Sequence, residues 1–509
     1  MKSLLLITVT IFVFAVETFG HDTNKVVCYY GSWAKYRQGN GNCEEETIDP
    51  NLCTHLIYTF VGLNGEDGSV KVLDAWADLP ASEPGGGRDG YGKFNALKKI
   101  NPELKTLIAI GGWNEGETAK YSNVLNDPNL RSNFVKSALE LVLKYGFDGF
   151  DVDWEYPNQR GSEGKESDKE AFIATLKELH EAFQPHGLLI SAAVAAAKTS
   201  ASKSYIIPEM NSYLDLINLM AYDLHGAWES HTGLNAPLYP RADESGEDRE
   251  VLNVEACVNY WLENGADPKK LVLGIPLYGR SFQLVDKNNY KPGSPSVVNG
   301  QGLQGPYTRT AGTLGYNEIL ELNQNEWDHY WDDEGKVPYM VRGQDWVGYD
   351  NEKSVGLKAQ YAIERGLGGV MVWSVETDDL TGISGQKFVL LNSINSVLHG
   401  GSVPTTSSTT TGVPTDPSET TEKPSSPPTD PTKPTETTTD KPSTPPSTDI
   451  CQHEGFVRDK NDCSVFYECI KEQNGELKAT RFQCGAGTYF NEEALVCDYK
   501  ENVKCNVLF

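Results

Sequence analysis

Four carboxylates in one short run are the residues of this chain best suited to catalysis. They are Asp148, Asp151, Asp153 and Glu155, in the sequence FDGFDVDWEYP that spans residues 147–157. Because alternate side chains of a β-strand point to the same face, an extended chain places the last three of them side by side. Like charges at that spacing raise at least one carboxyl pKa. A raised carboxyl pKa is what a general acid needs near neutral pH.

Two other interpretations of this run are an acidic edge strand and a cation site. An edge strand is expected to carry Lys or mixed charges rather than the apolar Val152 and bulky Trp154 that alternate with these acids. A Ca²⁺ or Mg²⁺ site more often places its carboxylates on a loop with Gly and Asn. The residue pattern therefore favours catalysis.

The same run resembles the signature of the family 18 glycoside hydrolases, the retaining chitinases, at all of its acidic positions. The resemblance implies that Glu155 protonates the glycosidic oxygen of a β-1,4-linked N-acetylglucosamine polymer. The substrate's own acetamide then acts as the nucleophile and forms an oxazolinium ion. Asp153, sharing a proton with Asp151, supports the acetamide, and Tyr222 completes the catalytic set. Asp148 is assigned to substrate binding.

The elements that must position these residues alternate between strand-like and helix-like patterns. This alternation predicts an α/β fold with a parallel sheet buried on both faces, and specifically a (β/α)₈ TIM barrel with insertions. In such a barrel the active site lies at the carboxyl ends of the strands, which is where Glu155 falls. The predicted strands are residues 25–32, 54–63, 105–113, 146–156, 188–197, 214–223, 271–280 and 367–375.

Helix signals and one long gap complete the predicted barrel. Asp127-Pro128 predicts the start of a helix that ends at Gly146, and residues 167–170 read as a capping box. The gap between the last two predicted strands is long enough to hold a small insertion, at about residues 282–350. The family resemblance implies that this insertion is an α+β subdomain that walls the substrate groove.

Aromatic and polar residues cluster at the ends of the predicted strands. Core packing is the default for any one aromatic residue, but a row of aromatic faces suits the C–H faces of a sugar polymer. The resemblance implies that Trp373 is the floor of the central sugar site and that Tyr222 and Asp223 contact its acetamide and hydroxyls. The other residues assigned to substrate binding are Met220, Met371, Tyr278, Arg280, Tyr29, Phe60, Trp33, Trp113 and Trp228.

Composition narrows the possible partners and the compartment. The formal net charge of −27 argues against nucleic acid or an anionic membrane as a partner and is compatible with a neutral polymer. Residues 1–20 read as a signal peptide, with an apolar run that is too short to span a membrane. We therefore expect a secreted, extracellular protein that is a monomer, with its catalytic domain over residues 21–400.

Beyond the barrel the composition changes twice. Residues 401–449 are a Ser/Thr/Pro-rich tract, which predicts a disordered, O-glycosylated linker. Residues 450–509 space six cysteines as C-x11-C-x5-C-x14-C-x12-C-x7-C, which predicts a small module held by disulfides with fifteen possible pairings.

This C-terminal segment resembles the peritrophin-A type chitin-binding module. That resemblance implies the pairs Cys451–Cys469, Cys463–Cys505 and Cys484–Cys497, and sugar contacts at Tyr467, Tyr489 and Tyr499. Many relatives carry Trp at the position of Tyr499. The ring of Tyr499 offers a smaller stacking face than Trp would. In the barrel, the resemblance implies a Cys28–Cys53 disulfide. Cys43 and Cys257 are either free and buried or paired with each other.

No cofactor and no metal are expected. His225 and His231 lie six residues apart in a loop with no further Cys or His at ligand spacing, so the sequence favours a polar loop. No Gly-rich phosphate loop follows a strand in the way that nucleotide sites require.

Three functions remain open at this point. The first is a secreted, endo-acting chitinase that binds chitin and chitooligosaccharides. The second is a chitinase-like lectin that binds without cutting, although such proteins typically lose one of the acids that are all present here. The third is a structural matrix protein, which would leave the barrel motifs without a role.

Overall fold

The structure is a computed structural model that describes residues 25–117, 119–159, 165–298 and 302–404. Further along, it describes residues 451, 455–460, 462–471, 477–483, 488–491, 496–499 and 503–505. The chain divides into two compact units, Met1–Thr411 and Gly412–Phe509. The predicted signal peptide and the predicted linker from residue 405 onwards lie outside the described residues.

Among the described residues of the first unit, fourteen strands form two sheets. In chain order they are β1 (Lys25–Gly31), β2 (His55–Leu63), β3 (Val70–Val72), β4 (Lys105–Gly111), β5 (Gly149–Asp153), β6 (Leu189–Ala195), β7 (Leu216–Met220), β8 (Leu271–Pro276), β9 (Tyr278–Gln283), β10 (Thr313–Gly315), β11 (Asp328–Asp332), β12 (Val337–Arg342), β13 (Asp345–Gly348) and β14 (Gly369–Trp373).

Eight of these strands close into a parallel barrel in the order β1-β2-β4-β5-β6-β7-β8-β14, and β14 pairs back onto β1. The short strand β3 pairs antiparallel with the end of β2. The predicted (β/α)₈ barrel is confirmed. The apolar runs that predicted it are buried on both faces, since one face lines the barrel and the other packs on the helices.

The helices of the first unit lie mostly between barrel strands. They are α1 (Ala75–Asp78), α2 (Gly90–Ala96), α3 (Lys120–Asn126), α4 (Pro128–Tyr145), α5 (Asp168–Phe183), α6 (Lys198–Ser204), α7 (Ile207–Met210), α8 (Glu247–Glu250), α9 (Val254–Glu263), α10 (Tyr316–Glu321), α11 (Glu352–Glu364) and α12 (Val389–Leu398). None of the described helices is long and apolar enough to cross a membrane.

Helix α4 begins and ends as its sequence predicts. The carboxylate of Asp127 accepts hydrogen bonds from two backbone amides of the first turn, and Gly146 ends the helix with a φ of 74°. The capping box predicted at residues 167–170 is wrong, because the Ser167 side chain makes no capping hydrogen bond. The Asp168 carboxylate instead turns back and accepts the backbone amides of Lys165 and Asn158.

The insertion between β8 and β14 forms a five-stranded antiparallel sheet in the order β10-β9-β13-β12-β11. It begins at Tyr278, slightly before the predicted residue 282. The predicted seventh strand, residues 271–280, is therefore two strands: β8 belongs to the barrel and β9 to the insertion sheet. Tyr278 and Arg280 consequently lie on the insertion rather than on a barrel strand.

The second unit contains a three-stranded sheet of β15 (Gly455–Arg458), β16 (Val465–Lys471) and β17 (Leu477–Gln483), and a hairpin of β18 (Thr488–Asn491) and β19 (Val496–Tyr499). Tyr467 is buried in this unit, and the predicted sugar contact there stays a prediction. Its ring is 5% exposed within a small apolar cluster, and its hydroxyl donates to Asp459 at 2.8 Å. Tyr489 is half-buried. The side chain of Tyr499 lies outside the described residues.

Three disulfides join the pairs that the two resemblances imply: Cys28–Cys53, Cys451–Cys469 and Cys463–Cys505. The implied pair Cys484–Cys497 lies outside the described residues. Cys43 and Cys257 are both free and buried, which resolves the alternatives that the sequence left open.

A buried ion pair joins the insertion to helix α11. The ammonium of Lys358 donates to both carboxylate oxygens of Asp350, at 2.6 and 2.7 Å, and neither side chain is more than 1% exposed. Removing one partner of such a pair leaves an uncompensated buried charge.

We predict that Lys358→Met lowers the free energy of unfolding by about 3–5 kcal/mol, because Asp350 is left buried without its counterion. Urea unfolding followed by tryptophan fluorescence measures this loss. The double variant Asp350→Asn/Lys358→Met recovers part of it. Lys177→Met, on an exposed face of α5, is the matched control and changes stability by no more than about 0.5 kcal/mol. Equal stability of Lys358→Met and the control would contradict the role of the pair.

Candidate active site

Strand β5 carries the acidic series into the interior of the barrel. All of its residues are buried, and Asp151 and Asp153 lie on the same face of the strand. Glu155 follows the carboxyl end of β5 by two residues and is 9% exposed. The neighbouring strand comes very close here: a Cβ on Gly111 would lie 2.0 Å from the carbonyl oxygen of Asp153. Glycine at this position, with a φ of +116°, is what allows the approach.

Asp151 is held by donors from three other strands. Tyr29 on β1 donates its hydroxyl at 2.8 Å, Ser191 on β6 donates at 2.5 Å, and the Asn218 amide on β7 lies 3.4 Å away. Burial raises the pKa of Asp151 to about 6, and these three hydrogen bonds limit the rise by favouring the charged form.

Asp153 lies between Asp151 and Glu155, and the charges of both act on its carboxyl group. Burial raises its pKa well above the usual range, and the charges of Glu155 and Asp151 raise it further. Burial and the neighbouring negative charges therefore favour the protonated form of this carboxyl group, and its buried Oδ1 atom has no hydrogen-bond partner among the described residues.

Tyr222, immediately after β7, lies close enough to interact with this series. Burial raises the pKa of its hydroxyl, and the negative charges of Asp153 and Glu155 contribute to the rise. The sulfur of Met371 lies 3.8 Å from the Tyr222 hydroxyl. Met371 itself is fully buried in the barrel interior next to Tyr222, and its assignment to substrate binding stays a prediction. Met220 is half-buried against the same cluster.

A group of aromatic rings covers the acids at the carboxyl ends of β1, β2 and β14. The rings of Phe60 and Trp373 stack at 6.0 Å between centroids, and those of Trp33 and Phe60 at 6.1 Å. Trp33 is 41% exposed, so this aromatic surface opens to solvent. Tyr29 packs beneath Trp373 and is 1% exposed. Its hydroxyl donates to Asp151, and its assignment to substrate binding stays a prediction.

A second polar group lies where the loop after β7 meets the insertion. Arg280 forms an ion pair with Asp223 at 2.6 Å, and Tyr278 donates its hydroxyl to the same carboxylate. The guanidinium of Arg280 also lies 5.3 Å from the ring centre of Trp228, which is half-exposed. Trp113, after β4, is likewise largely exposed. The predicted substrate residues of the loop and insertion therefore converge on one side of the acidic series.

Asp148 does not join the site, and its assignment is wrong. It precedes β5 at the amino end of the barrel, where it pairs with Lys98 at 2.9 Å and accepts the Thr106 amide at 2.8 Å. The acidic motif therefore spans the whole strand, with a structural residue at one end and chemical groups at the other.

Sequence reasoning missed Ser191 and Asn218. Each is a fully buried polar residue in an apolar strand, within LISAAVA on β6 and LINLM on β7. Since buried polar groups need partners, an isolated polar residue at the centre of a parallel strand was the available signal.

The acidic series does not form an ion-binding cluster. In the part of the chain that the structure describes, the groups close enough to hold a cation do not include Asp151, Asp153 or Glu155.

Comparison with known families accounts for both units. Residues 25–378 match the Glycosyl hydrolases family 18, and residues 451–505 match the Chitin binding Peritrophin-A domain. An "Endochitinase" of Manduca sexta is 33% identical over 98% of this chain and 98% of its own length. A "Probable chitinase 2" of Drosophila melanogaster is 42% identical over 70% of this chain and 72% of its own length.

Among solved structures, the Group IV chitinase of Ostrinia furnacalis in complex with allosamidin is similar, with a TM-score of 0.71 and 47% sequence identity. The match covers 74% of this chain and all of that one. The family match extends over more than half of the sequence, including the acidic strand and the aromatic cover. This chain belongs to the glycosyl hydrolases of family 18.

Proposed function

We propose that this chain is an endo-acting chitinase that hydrolyses β-1,4 N-acetylglucosamine linkages in chitin and chitooligosaccharides with retention of configuration. The observation that carries the proposal is the buried, mutually interacting series of Asp151, Asp153 and Glu155 at the carboxyl ends of the barrel strands, beneath an aromatic surface. The exposed aromatic rings on both sides of it suit the stacking of successive pyranose rings.

In the first step Glu155 donates its proton to the glycosidic oxygen, and the bond to the anomeric carbon breaks. The acetamide carbonyl oxygen of the same sugar attacks that carbon and forms an oxazolinium ion. Asp153 accepts the acetamide N–H on its unpartnered oxygen and shares its proton with Asp151. In the second step Glu155 takes a proton from water, which attacks the anomeric carbon and reopens the ring.

The three donors around Asp151 fix where the charge of the pair resides. Hydrogen bonds from Tyr29, Ser191 and Asn218 favour its anion, while Asp153 has no comparable set of donors. These contacts favour the negative charge on Asp151 and the proton on Asp153, and that single negative charge offsets the positive oxazolinium. This arrangement stabilises charge that develops only during the reaction.

The remaining parts of the chain serve the same substrate. The C-terminal domain holds the enzyme on solid chitin, the linker of residues 401–449 lets the barrel search around the anchoring point, and residues 1–20 direct secretion. The protein works as an extracellular monomer with no nucleic-acid or membrane partner, consistent with a net charge of −27.

The alternative is a lectin that binds chitooligosaccharide without cutting it. The complete acidic series disfavours it, because binding alone does not require a buried proton-sharing pair next to a general acid.

Replacing Glu155 by Gln separates the two functions. We predict that Glu155→Gln lowers kcat on a fluorogenic chitotrioside by at least about 10²–10⁴-fold, since the isosteric amide cannot donate the proton. Chitohexaose binding, measured by calorimetry, persists. As the reference, the unmodified chain cleaves chitohexaose at internal linkages, and its new reducing ends appear first as the β-anomer. Unchanged turnover in the variant would remove Glu155 from its role.

Removing the Ser191 hydroxyl tests the charge of the pair. This donor lowers the pKa of Asp151, so we predict that Ser191→Ala shifts the acidic limb of the kcat/KM profile upward by about one pH unit. The sign follows because the required anion then exists only at higher pH. Ser393→Ala, whose hydroxyl bonds only within α12, is the control and leaves the limb in place. An unmoved limb in Ser191→Ala would show that Asp151 does not set it.

Truncation tests the C-terminal domain. The first unit is compact by itself, so a chain ending at Pro404 retains its full rate on soluble chitotrioside. We predict a several-fold slower release of sugar from solid chitin, because the anchoring contact is lost. The measurement compares full and truncated chains at equal concentration on both substrates. Equal rates on solid chitin would leave the C-terminal domain without this role.

A further inference from the structure

Two histidines and a glutamate converge beside the loop that follows β7, away from the acidic series. Nδ1 of His225 lies 3.1 Å from Oε2 of Glu229. The ligand atoms of His225, Glu229 and His231 all lie within 4.8 Å of one another. The sequence argued against a metal here because it offered no further Cys or His at ligand spacing. The fold supplies carboxylates instead.

A further carboxylate faces the same group from helix α8. Oδ2 of Asp248 lies 3.4 Å from Nε2 of His231, yet this nitrogen is buried and makes no hydrogen bond to any described residue. Two ligands of one tetrahedral zinc ion, at bond lengths of about 2.0–2.2 Å, are separated by roughly 3.3–3.5 Å. The 3.1 Å between Nδ1 of His225 and Oε2 of Glu229 lies close to this separation, whereas Asp248 lies outside the group whose ligand atoms are all within 4.8 Å of one another.

The surroundings carry excess negative charge. A cavity of about 380 Å³ lies here, and its lining includes His225, His231, Arg241, Glu244 and Asp248. Arg241 does not neutralise these carboxylates, because its guanidinium already pairs with Asp332 at 2.6 Å and with Asp243 at 2.8 Å. The carboxylates of Glu244, Asp248 and Glu229 thus favour a cation, and the two imidazoles select zinc over calcium or magnesium.

We propose that His225, Glu229 and His231 bind a Zn²⁺ ion that has a structural role, with the carboxylate of Asp248 beside His231 adding negative charge. The ion ties together the loop after β7, which is also bridged to the insertion between His231 and Pro295. The same loop carries Trp228 and Asp223, which meet Arg280 of the insertion. Zinc therefore fixes the loop that borders the groove, and it takes no part in bond cleavage.

The binding test uses the full chain, stripped with EDTA and titrated with Co²⁺ and then with Zn²⁺. Co²⁺ in a tetrahedral N/O site produces a visible d–d absorption band, which Zn²⁺ abolishes on displacement; calorimetry gives the affinity and the stoichiometry of one ion. His231→Ala and the isosteric Glu229→Gln each weaken binding by more than about tenfold, beyond the loss typical of outer-shell partners. His329→Ala, at an exposed histidine on β11, binds as the unmodified chain does.

Thermal unfolding gives an independent measurement. Above the dissociation constant, Zn²⁺ raises the unfolding temperature of the stripped chain in proportion to the logarithm of the Zn²⁺ concentration. The rise in unfolding temperature is smaller in both variants. Circular dichroism shows whether each variant is folded. If His231→Ala does not fold, the isosteric Glu229→Gln, which preserves the shape of the site, still provides the test. Absence of a d–d band in the unmodified chain, or undiminished binding in the folded variants, would overturn the proposal. Neither outcome depends on hydrolytic activity.

Discussion

The burial of two neighbouring carboxyl groups is the constraint on which the rest of this structure depends. Asp151 and Asp153 are 0% and 4% exposed, so water does little to stabilise either charge. The fold responds differently at each position. Asp151 receives hydroxyl and amide donors that limit the rise of its pKa, whereas Oδ1 of Asp153 has no donor among the described residues and the charges of Asp151 and Glu155 raise its pKa further. This difference between two positions on the same face of one strand is what the proposed proton sharing relies on.

That difference requires a closed barrel. Asp151 lies on β5, but its donors come from β1, β6 and β7, and β1 is not a neighbour of β5 in the sheet. Only the pairing of β1 with both β2 and β14 brings Tyr29 across the interior. An open sheet with the same strands would leave the Asp151 carboxylate without its hydroxyl donor from β1. Closure of the barrel is therefore part of the electrostatics as well as part of the scaffold.

The rim of the barrel follows a second rule, in which charged groups hold the exposed aromatic residues in place. Asp223 binds Arg280 and Tyr278, and Arg280 in turn lies against Trp228. These contacts join the loop after β7 to the first strand of the insertion. The zinc site proposed beside them acts on the same loop from its other side. Polar contacts thus hold the rim together, whereas apolar packing holds the barrel interior together.

Local patterns in the sequence determined the strands of the barrel, the cap of helix α4 at Asp127 and the common face of Asp151 and Asp153, because each depends on residues adjacent along the chain. The acidic motif also includes Asp148, so the sequence pattern assigned it to the site. Only the fold shows that Asp148 lies at the end of the strand opposite Glu155. The donors Ser191 and Asn218, the burial of Met371 and Tyr467, and the approach of Asp248 to His231 depend on contacts between distant segments. Tertiary structure decided these, since the energy of a buried polar group is set by its neighbours in space rather than by its neighbours in sequence.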